Sequence, residues 1–285
     1  MELTCVLYGG EPLLQTEINF RFISKLKNVL KNYHSNVDFR LSIITNGYLF
    51  NKDIIIQYKK HGLIGAQITL DGNANYHNKR RFLINGKSTY TVILENILNA
   101  VNLDIKVSLR INVDDKNVLN IPKMLQSLRD YGLNKNISIS ISPVFKNINV
   151  KGNINDKNVL EKMKCIFEKA ADLNFAYSFP TTSCSIFSKE FFAIDYLGNV
   201  YNCPSMAVIE QNKIGDIYSD PNILKIRFQE LSKKCSKCIW VPLCAGGCTY
   251  QNYLAKSLIC MKNHYELLVQ SYIEHYSVMN RYING

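Results

Sequence analysis

Seven of the nine cysteines lie between Cys184 and Cys260, and four of those seven crowd into KCSKCIWVPLCAGGC, residues 234–248. So many thiols in so short a stretch constrain its fold more than any apolar pattern does, because the chain must arrange itself around whatever the sulfurs hold. The spacing reads Cys184-x13-Gly198-x4-Cys203, then Cys235-x2-Cys238-x5-Cys244-x3-Cys248, then Cys260. A disulfide framework fits poorly, since seven is odd and the compartment reads as reducing. A thioredoxin-like pair fits no better, because CSKC follows no β–α start and has too many thiol neighbours. Zinc takes four thiolates, commonly as two Cys-x2-Cys knuckles; only one such knuckle is present, and one ion leaves three thiols over. Iron–sulfur clusters also take four thiolates each, in runs with two- and three-residue gaps, and seven cysteines divide as four plus three. Gly246 and Gly247 would let backbone N–H groups approach cluster sulfides, and Trp240, Val241 and Leu243 would supply an apolar shell. Spacing alone favours iron–sulfur over zinc and leaves both open.

The front of the chain is cysteine-poor. Cys5 and Cys165 stand alone and read as small buried apolar side chains. Strands are expected over Leu3–Tyr8, Leu41–Thr45, Ala66–Leu70, Val107–Val113 and Ile137–Val144. Helices are expected over Leu13–Asn32, Lys52–Lys60, Tyr90–Val101, Ile121–Tyr131 and Asp156–Leu173. The first carries Ile18, Phe22, Ile23, Leu26 and Leu30 on one face. Five β–α units in a row imply an α/β fold with a parallel sheet and right-handed crossovers, either a barrel or a doubly wound sheet. After about residue 176 the helical pattern stops, which divides the chain into 1–175 and 176–285. A terminal helix over Asn263–Ile283 carries Tyr265, Leu268, Val269, Tyr272, Ile273 and Tyr276 at helical spacing, as a core-packing face.

Composition narrows the function classes. With 285 residues and 47% apolar content the chain can bury a substantial core. No apolar run approaches a membrane span, and the start, MELTCVLYGGEP, is not a secretory signal, so a cytoplasmic protein is expected. The charge of 34 − 23 = +11 is spread over Lys-rich faces with no basic run among aromatics, so neither nucleic acid nor membrane is an expected partner. The five histidines form no pair at ligand spacing.

In barrels of parallel strands the chemistry sits at the strands' carboxyl ends. Here those ends carry Gly9-Gly10-Glu11-Pro12, Thr45-Asn46-Gly47, Thr69-Leu70-Asp71-Gly72, Arg110-Ile111-Asn112 and Ser142-Pro143. Each alone reads as a turn, Asp71 as a cap on the turn that follows it. Together they place polar and glycine residues on one rim.

YGGEPLL at Tyr8–Leu14, followed by TNG, ITLDG and RINVD, resembles the partial barrel of radical S-adenosylmethionine (radical SAM) enzymes. The seven-cysteine pattern is similar to their SPASM extension, typical of peptide-modifying members related to sulfatase-maturing enzymes. The resemblance runs from about residue 2 to about 265. It implies a partial (β/α) TIM-like barrel missing its first β–α unit, followed by a cysteine-rich SPASM/twitch extension. It implies that Gly9, Gly10, Glu11 and Pro12 hold the amino group of S-adenosylmethionine, a carboxylate and backbone acceptors suiting an ammonium. Thr45, Asn46, Thr69 and Arg110 would line the rest of that site, Arg110 toward a carboxylate. One auxiliary [4Fe–4S] cluster would take Cys235, Cys238, Cys244 and Cys260, and the other Cys184, Cys203 and Cys248. The implied partners are a precursor peptide and a reductant such as ferredoxin or flavodoxin.

Three departures shape the expectation. Ser185–Leu197 lacks a further cysteine found in sulfatase-maturing members, which leaves one iron of the three-thiol cluster open to a substrate thiolate. Pro204 stands where those enzymes have a general-base aspartate, which argues against formylglycine formation and for thioether formation on a cysteine-bearing peptide. The Cys-x3-Cys-x2-Cys loop that starts the radical is absent ahead of Gly9, so a truncated form unable to cleave S-adenosylmethionine alone is expected. A non-catalytic iron–sulfur or electron-transfer protein is the second reading, and a zinc-binding basic protein the third.

Overall fold

Period-two β-branched runs and amphipathic stretches alternate along the front of the chain, and each alternation adds one strand to a single sheet. The computed structural model describes residues 2–33, 36–144, 157–177, 184, 186, 188, 190–207, 209–218 and 232–274. The order is β1 (Glu2–Leu7), α1 (Thr16–Tyr33), β2 (Asp38–Thr45), α2 (Lys52–Lys60), β3 (Leu63–Thr69), α3 (Ala74–Arg80), α4 (Tyr90–Asn102), β4 (Lys106–Val113), α5 (Ile121–Asp130), β5 (Ile137–Pro143), α6 (Lys157–Asp172) and β6 (Ala176–Tyr177). The sheet runs β1-β2-β3-β4-β5-β6, with every neighbouring pair parallel. Strand order equals chain order, with no reversal, which is the winding of a barrel wall rather than of a doubly wound sheet. Among the described residues β1 and β6 are not paired with each other, so the barrel is partial.

Strand periodicity gives the sheet two unlike faces. Leu41, Ile43, Ala66, Ile68, Val107, Leu109, Ile111 and Ile139 are buried on the apolar one, against which α2 packs on β3 and α4 on β4. The other face carries Ser42, Gln67, Thr69, Ser108, Arg110, Asn112, Ser138, Ser140 and Ser142, all half-buried. Register sets Thr69, Arg110 and Ser140 side by side across three strands.

The expected elements appear with ends shifted by a few residues, and in the six-stranded sheet region α3 and the two-residue β6 were not anticipated. Three expectations need correction. On α1 only Ile23 of the expected face is fully buried; Ile18 is 60% and Phe22 50% exposed. Cys165 is exposed on α6 rather than buried. Asp71 does not cap the following turn; Asn73 caps α3 by accepting from the Tyr76 N–H.

By compactness the chain forms two units. One draws its described residues from Met1–Val144, Glu161–Ser178 and Ser271–Gly285, the other from Phe145–Leu160 and Phe179–Gln270. The second unit holds the antiparallel order β7-β8-β9 (Ala193–Ile194, Asn199–Tyr201, Gly215–Asp216) and the short helices α7 (Val241–Cys244) and α8 (Thr249–Ala255). The Asp195 carboxylate ties the β7–β8 turn by accepting from the Leu197 and Asn199 N–H groups and the Tyr201 hydroxyl, and it delivers Cys203 two residues past β8. The last helix, α9, spans Lys262–Glu274; the rest of the expected terminal helix lies outside the described residues. Among the described residues no helix is long and apolar enough to cross a membrane.

Candidate functional site

Two groups of functional side chains were built, one in each unit. In the first unit β1 runs into Gly9, whose φ of +134° lies where L side chains rarely sit. A Cβ placed on Gly9 or Gly10 would meet nothing within 4 Å, so this backbone faces open space. Glu11 follows and Pro12 opens a short helical turn. The Glu11 carboxylate accepts from the Thr45 hydroxyl at 2.6 Å, from the Asn46 N–H at 2.8 Å and from the Leu13 N–H at 3.2 Å. Thr45 is buried and also accepts from the Gly47 N–H. Its part is to hold Glu11 in place. A carboxylate has about four acceptor positions, so Glu11 keeps one for a donor from outside.

Arg110 stands half-buried in the register row with Thr69. Its Nε donates to Asn112 Oδ1 at 3.3 Å, and among the described residues it has no carboxylate at ion-pair distance. Burial pulls its pKa down, opposed by Asp71 and Tyr8. Asp71, 3% exposed, is the hub behind it. Asp71 Oδ2 accepts from Arg81 Nε at 2.8 Å, and Oδ1 accepts from the Asn112 N–H and Nδ2, each at 3.0 Å. Both Asn112 donors therefore point to Asp71, which turns its carbonyl oxygen to Arg110. Arg80 pairs with Asp114, and Asn117 Nδ2 bridges the carbonyls of Asp71 and Asn112 at 2.8 Å each. His77 was assigned no role by sequence, yet its Nδ1 accepts from the Asp71 N–H at 3.3 Å while Nε2 meets the Thr89 hydroxyl at 3.2 Å. Burial, with Arg81 nearby, lowers its pKa to about 4 against the opposing pull of Asp71. Glu11, Thr45 and Asn46 are thus joined by hydrogen bonds, and Thr69 and Arg110 by register.

In the second unit four of the seven thiols share one cleft. Cys235, Cys238, Cys244 and Cys260 line one cleft of ≈ 300 Å³ of atom-free space, open on one side, with Trp240, Val241, Ile259 and Lys262 in its wall. Burial raises the Cys244 thiol pKa, and the nearby backbone N–H groups of Gly247, Gly246 and Met261 lower it; the Gly247 N–H donates to the Cys244 carbonyl oxygen at 2.9 Å. That geometry needs the glycine pair. A Cβ on Gly247, at φ +89°, would sit 2.8 Å from the Ile259 carbonyl oxygen. Cys203 is buried with Ile186 and Met206, with Tyr250 against them. Burial raises its pKa, the Ser205 and Met206 N–H groups lower it, and the neighbouring Cys184 and Cys248 thiols raise it again. Cys184 and Cys248 therefore lie near Cys203. Tyr265, which sequence reading gave only a packing role, has its hydroxyl pKa raised by burial and then by Cys244, Cys184 and Cys248, so it lies near those three thiols. Among the described residues no three His, Cys, Asp or Glu side chains converge on a point as ligands of a single ion.

Residues 3–116 match the Radical SAM superfamily. That stretch is the front of the chain, 114 of its 285 residues. The chain is 26% identical over 277 residues to a Cysteine-type anaerobic sulfatase-maturating enzyme of Clostridium novyi (strain NT), covering 86% of this chain and 72% of that protein. It is 27% identical over 122 residues to an Fe-coproporphyrin III synthase of Methanosarcina barkeri (strain Fusaro / DSM 804), covering 43% of this chain and 28% of that one. Among solved structures, native anSMEcpe with bound AdoMet and Kp18Cys peptide matches with a TM-score of 0.72 at 17% identity, covering 100% of this chain and 86% of the other. The same protein with Cp18Cys peptide matches with a TM-score of 0.71 at 18% identity. These two likenesses speak for the fold. The matched stretch contains β1 through β4, and with them Glu11, Thr45, Asn46, Thr69, Asp71 and Arg110.

Proposed function

We propose that the chain is a radical SAM/SPASM-type maturase acting on a cysteine-bearing peptide, with thioether formation as the reaction. The observation that supports this reading is that Cys235, Cys238, Cys244 and Cys260 line one cleft while Cys184 and Cys248 lie near the buried Cys203. The cleft suits a polynuclear cluster on two grounds: four thiols line it, and the buried Trp240 Nε1 has no acceptor among the described residues. The three-thiol set leaves a fourth ligand position for a peptide thiolate. Pro204 after Cys203 supplies no carboxylate for proton removal, which favours thioether over formylglycine formation although the Clostridium novyi relative is named a sulfatase-maturating enzyme.

The rim residues fit an amino acid headgroup. Glu11, held by Thr45 and Asn46, and the exposed Gly9–Gly10 backbone suit an ammonium, and Arg110 suits a carboxylate. When bound, S-adenosylmethionine with its initiating cluster supplies a hydrogen-abstracting radical, and auxiliary clusters supply a thiolate site and an electron acceptor. Joining a cysteine sulfur to a peptide carbon removes one hydrogen atom from the carbon, one proton from the thiol and one electron. Residues 1–285 contain no Cys-x3-Cys-x2-Cys run, so cleavage of S-adenosylmethionine is not assigned to them. A cytoplasmic setting and a reductant such as ferredoxin or flavodoxin go with the reading.

The test is oxygen-free reconstitution, followed by iron analysis and titration with a cysteine-containing peptide. Roughly eight irons per chain are expected for two cubanes, with a change in the cluster's absorption and electron paramagnetic resonance that a serine analogue of the peptide does not cause. A folded protein without iron, or one with iron that ignores the peptide, overturns the proposal.

A further inference from the structure

We infer that the Trp240 indole N–H donates a hydrogen bond to a sulfur of the cluster gripped by Cys235, Cys238, Cys244 and Cys260, raising that cluster's reduction potential. This rests on the cluster reading above. Trp240 lies two residues after Cys238 and four before Cys244. Its backbone is fixed, because its carbonyl accepts from the Cys244 N–H at 2.7 Å and from the Leu243 N–H at 3.1 Å as α7 begins. The side chain lines the same cleft as the four thiols.

The indole nitrogen is a donor and nothing else. Trp240 Nε1 is buried and has no acceptor among the described residues. A buried donor left so is destabilising, and a phenylalanine ring would fill the same space without that cost. The wall offers little to satisfy it, since beside the thiols its side chains are apolar apart from Lys262, itself only a donor. What the cleft does gather is sulfur. A cluster seated on the four thiolates would bring acceptor sulfurs to the indole, beside the backbone N–H groups of Gly246, Gly247 and Met261 near Cys244. Hydrogen bonds to cluster sulfur favour the electron-richer reduced state and so raise the potential.

The chain has one tryptophan, so indole-¹⁵N-tryptophan labels this position alone. After oxygen-free reconstitution and reduction with dithionite, pulsed electron paramagnetic resonance is expected to show coupling of that nitrogen, and of its exchangeable deuteron in D₂O, to a reduced cluster. Trp240→Phe is expected to keep its iron and lose the deuteron coupling. Its cluster should become harder to reduce, the reduced-to-oxidised ratio at fixed solution potential falling about fivefold, the worth of one hydrogen bond. Wild-type protein that binds iron yet shows no nitrogen coupling overturns the inference, as does an iron-loaded Trp240→Phe with unchanged potential. Wild-type protein that binds no iron instead overturns the cluster reading itself. The labelled wild type answers the question even where the variant fails to load.

Discussion

Asp71 accepts from Arg81 and twice from Asn112, and so decides which way Asn112 presents its carbonyl to Arg110. Asp71→Asn is expected to cost about 3 kcal/mol in denaturant unfolding, because it leaves a half-buried guanidinium without its counter-charge. It should also weaken S-adenosylmethionine binding by about tenfold in calorimetric titration, since Arg110 loses its orientation. Little of this was legible beforehand, because the partners of Asp71 lie ten and forty-one residues away. The glycine pair was visible in the sequence, and the structure gives Gly247 a φ of +89° with no room for a Cβ beside the Ile259 carbonyl oxygen. Gly247→Ala should therefore lower the iron retained after reconstitution and desalting by about half, with the three-thiol set kept. His77 adds a pH dependence. Its folded pKa of about 4 lies below the unfolded value near 6.5, so the stability it contributes is complete above pH 6.5 and is lost as pH falls toward 4. The loss is about 3 kcal/mol, read as the shift of the urea midpoint between pH 7 and pH 4. His77→Gln should flatten that shift, since the imidazole that the unfolded chain protonates is gone.

At the scale of elements, α1 shows what periodicity can and cannot say. Its apolar residues recur at helical spacing, which announced the helix, but the face they mark is wider than the face that packs. Ile23 is buried, whereas Ile18, Phe22, Val29 and Tyr33 are exposed. Ile23→Ala is expected to cost about 2–4 kcal/mol, as a deletion from a packed core does. Ile18→Lys should change the thermal midpoint by less than about 2 °C. Equal losses in the two variants would mean that Ile18 is covered in solution. Helix α3, ANYHNKR, escaped notice because it has no apolar stripe, and its one signal was Asn73 at the N-cap. Strand β6 is two residues long, too short for any alternation to register. The five longer strands were readable because each repeats its pattern over at least six residues.

At the scale of the molecule, the division of labour was visible as a change in composition: a cysteine-poor α/β front and a cysteine-dense back. The assignment of thiols to sets was not readable from spacing, because Cys248 follows Cys244 by four residues yet neighbours Cys203 and Cys184. That pairing has a topological consequence. The proposed set of four begins at Cys235 and ends at Cys260, the proposed set of three begins at Cys184 and ends at Cys248, and so the two spans overlap like adjoining links. No single scission of the polypeptide leaves both sets whole on separate pieces.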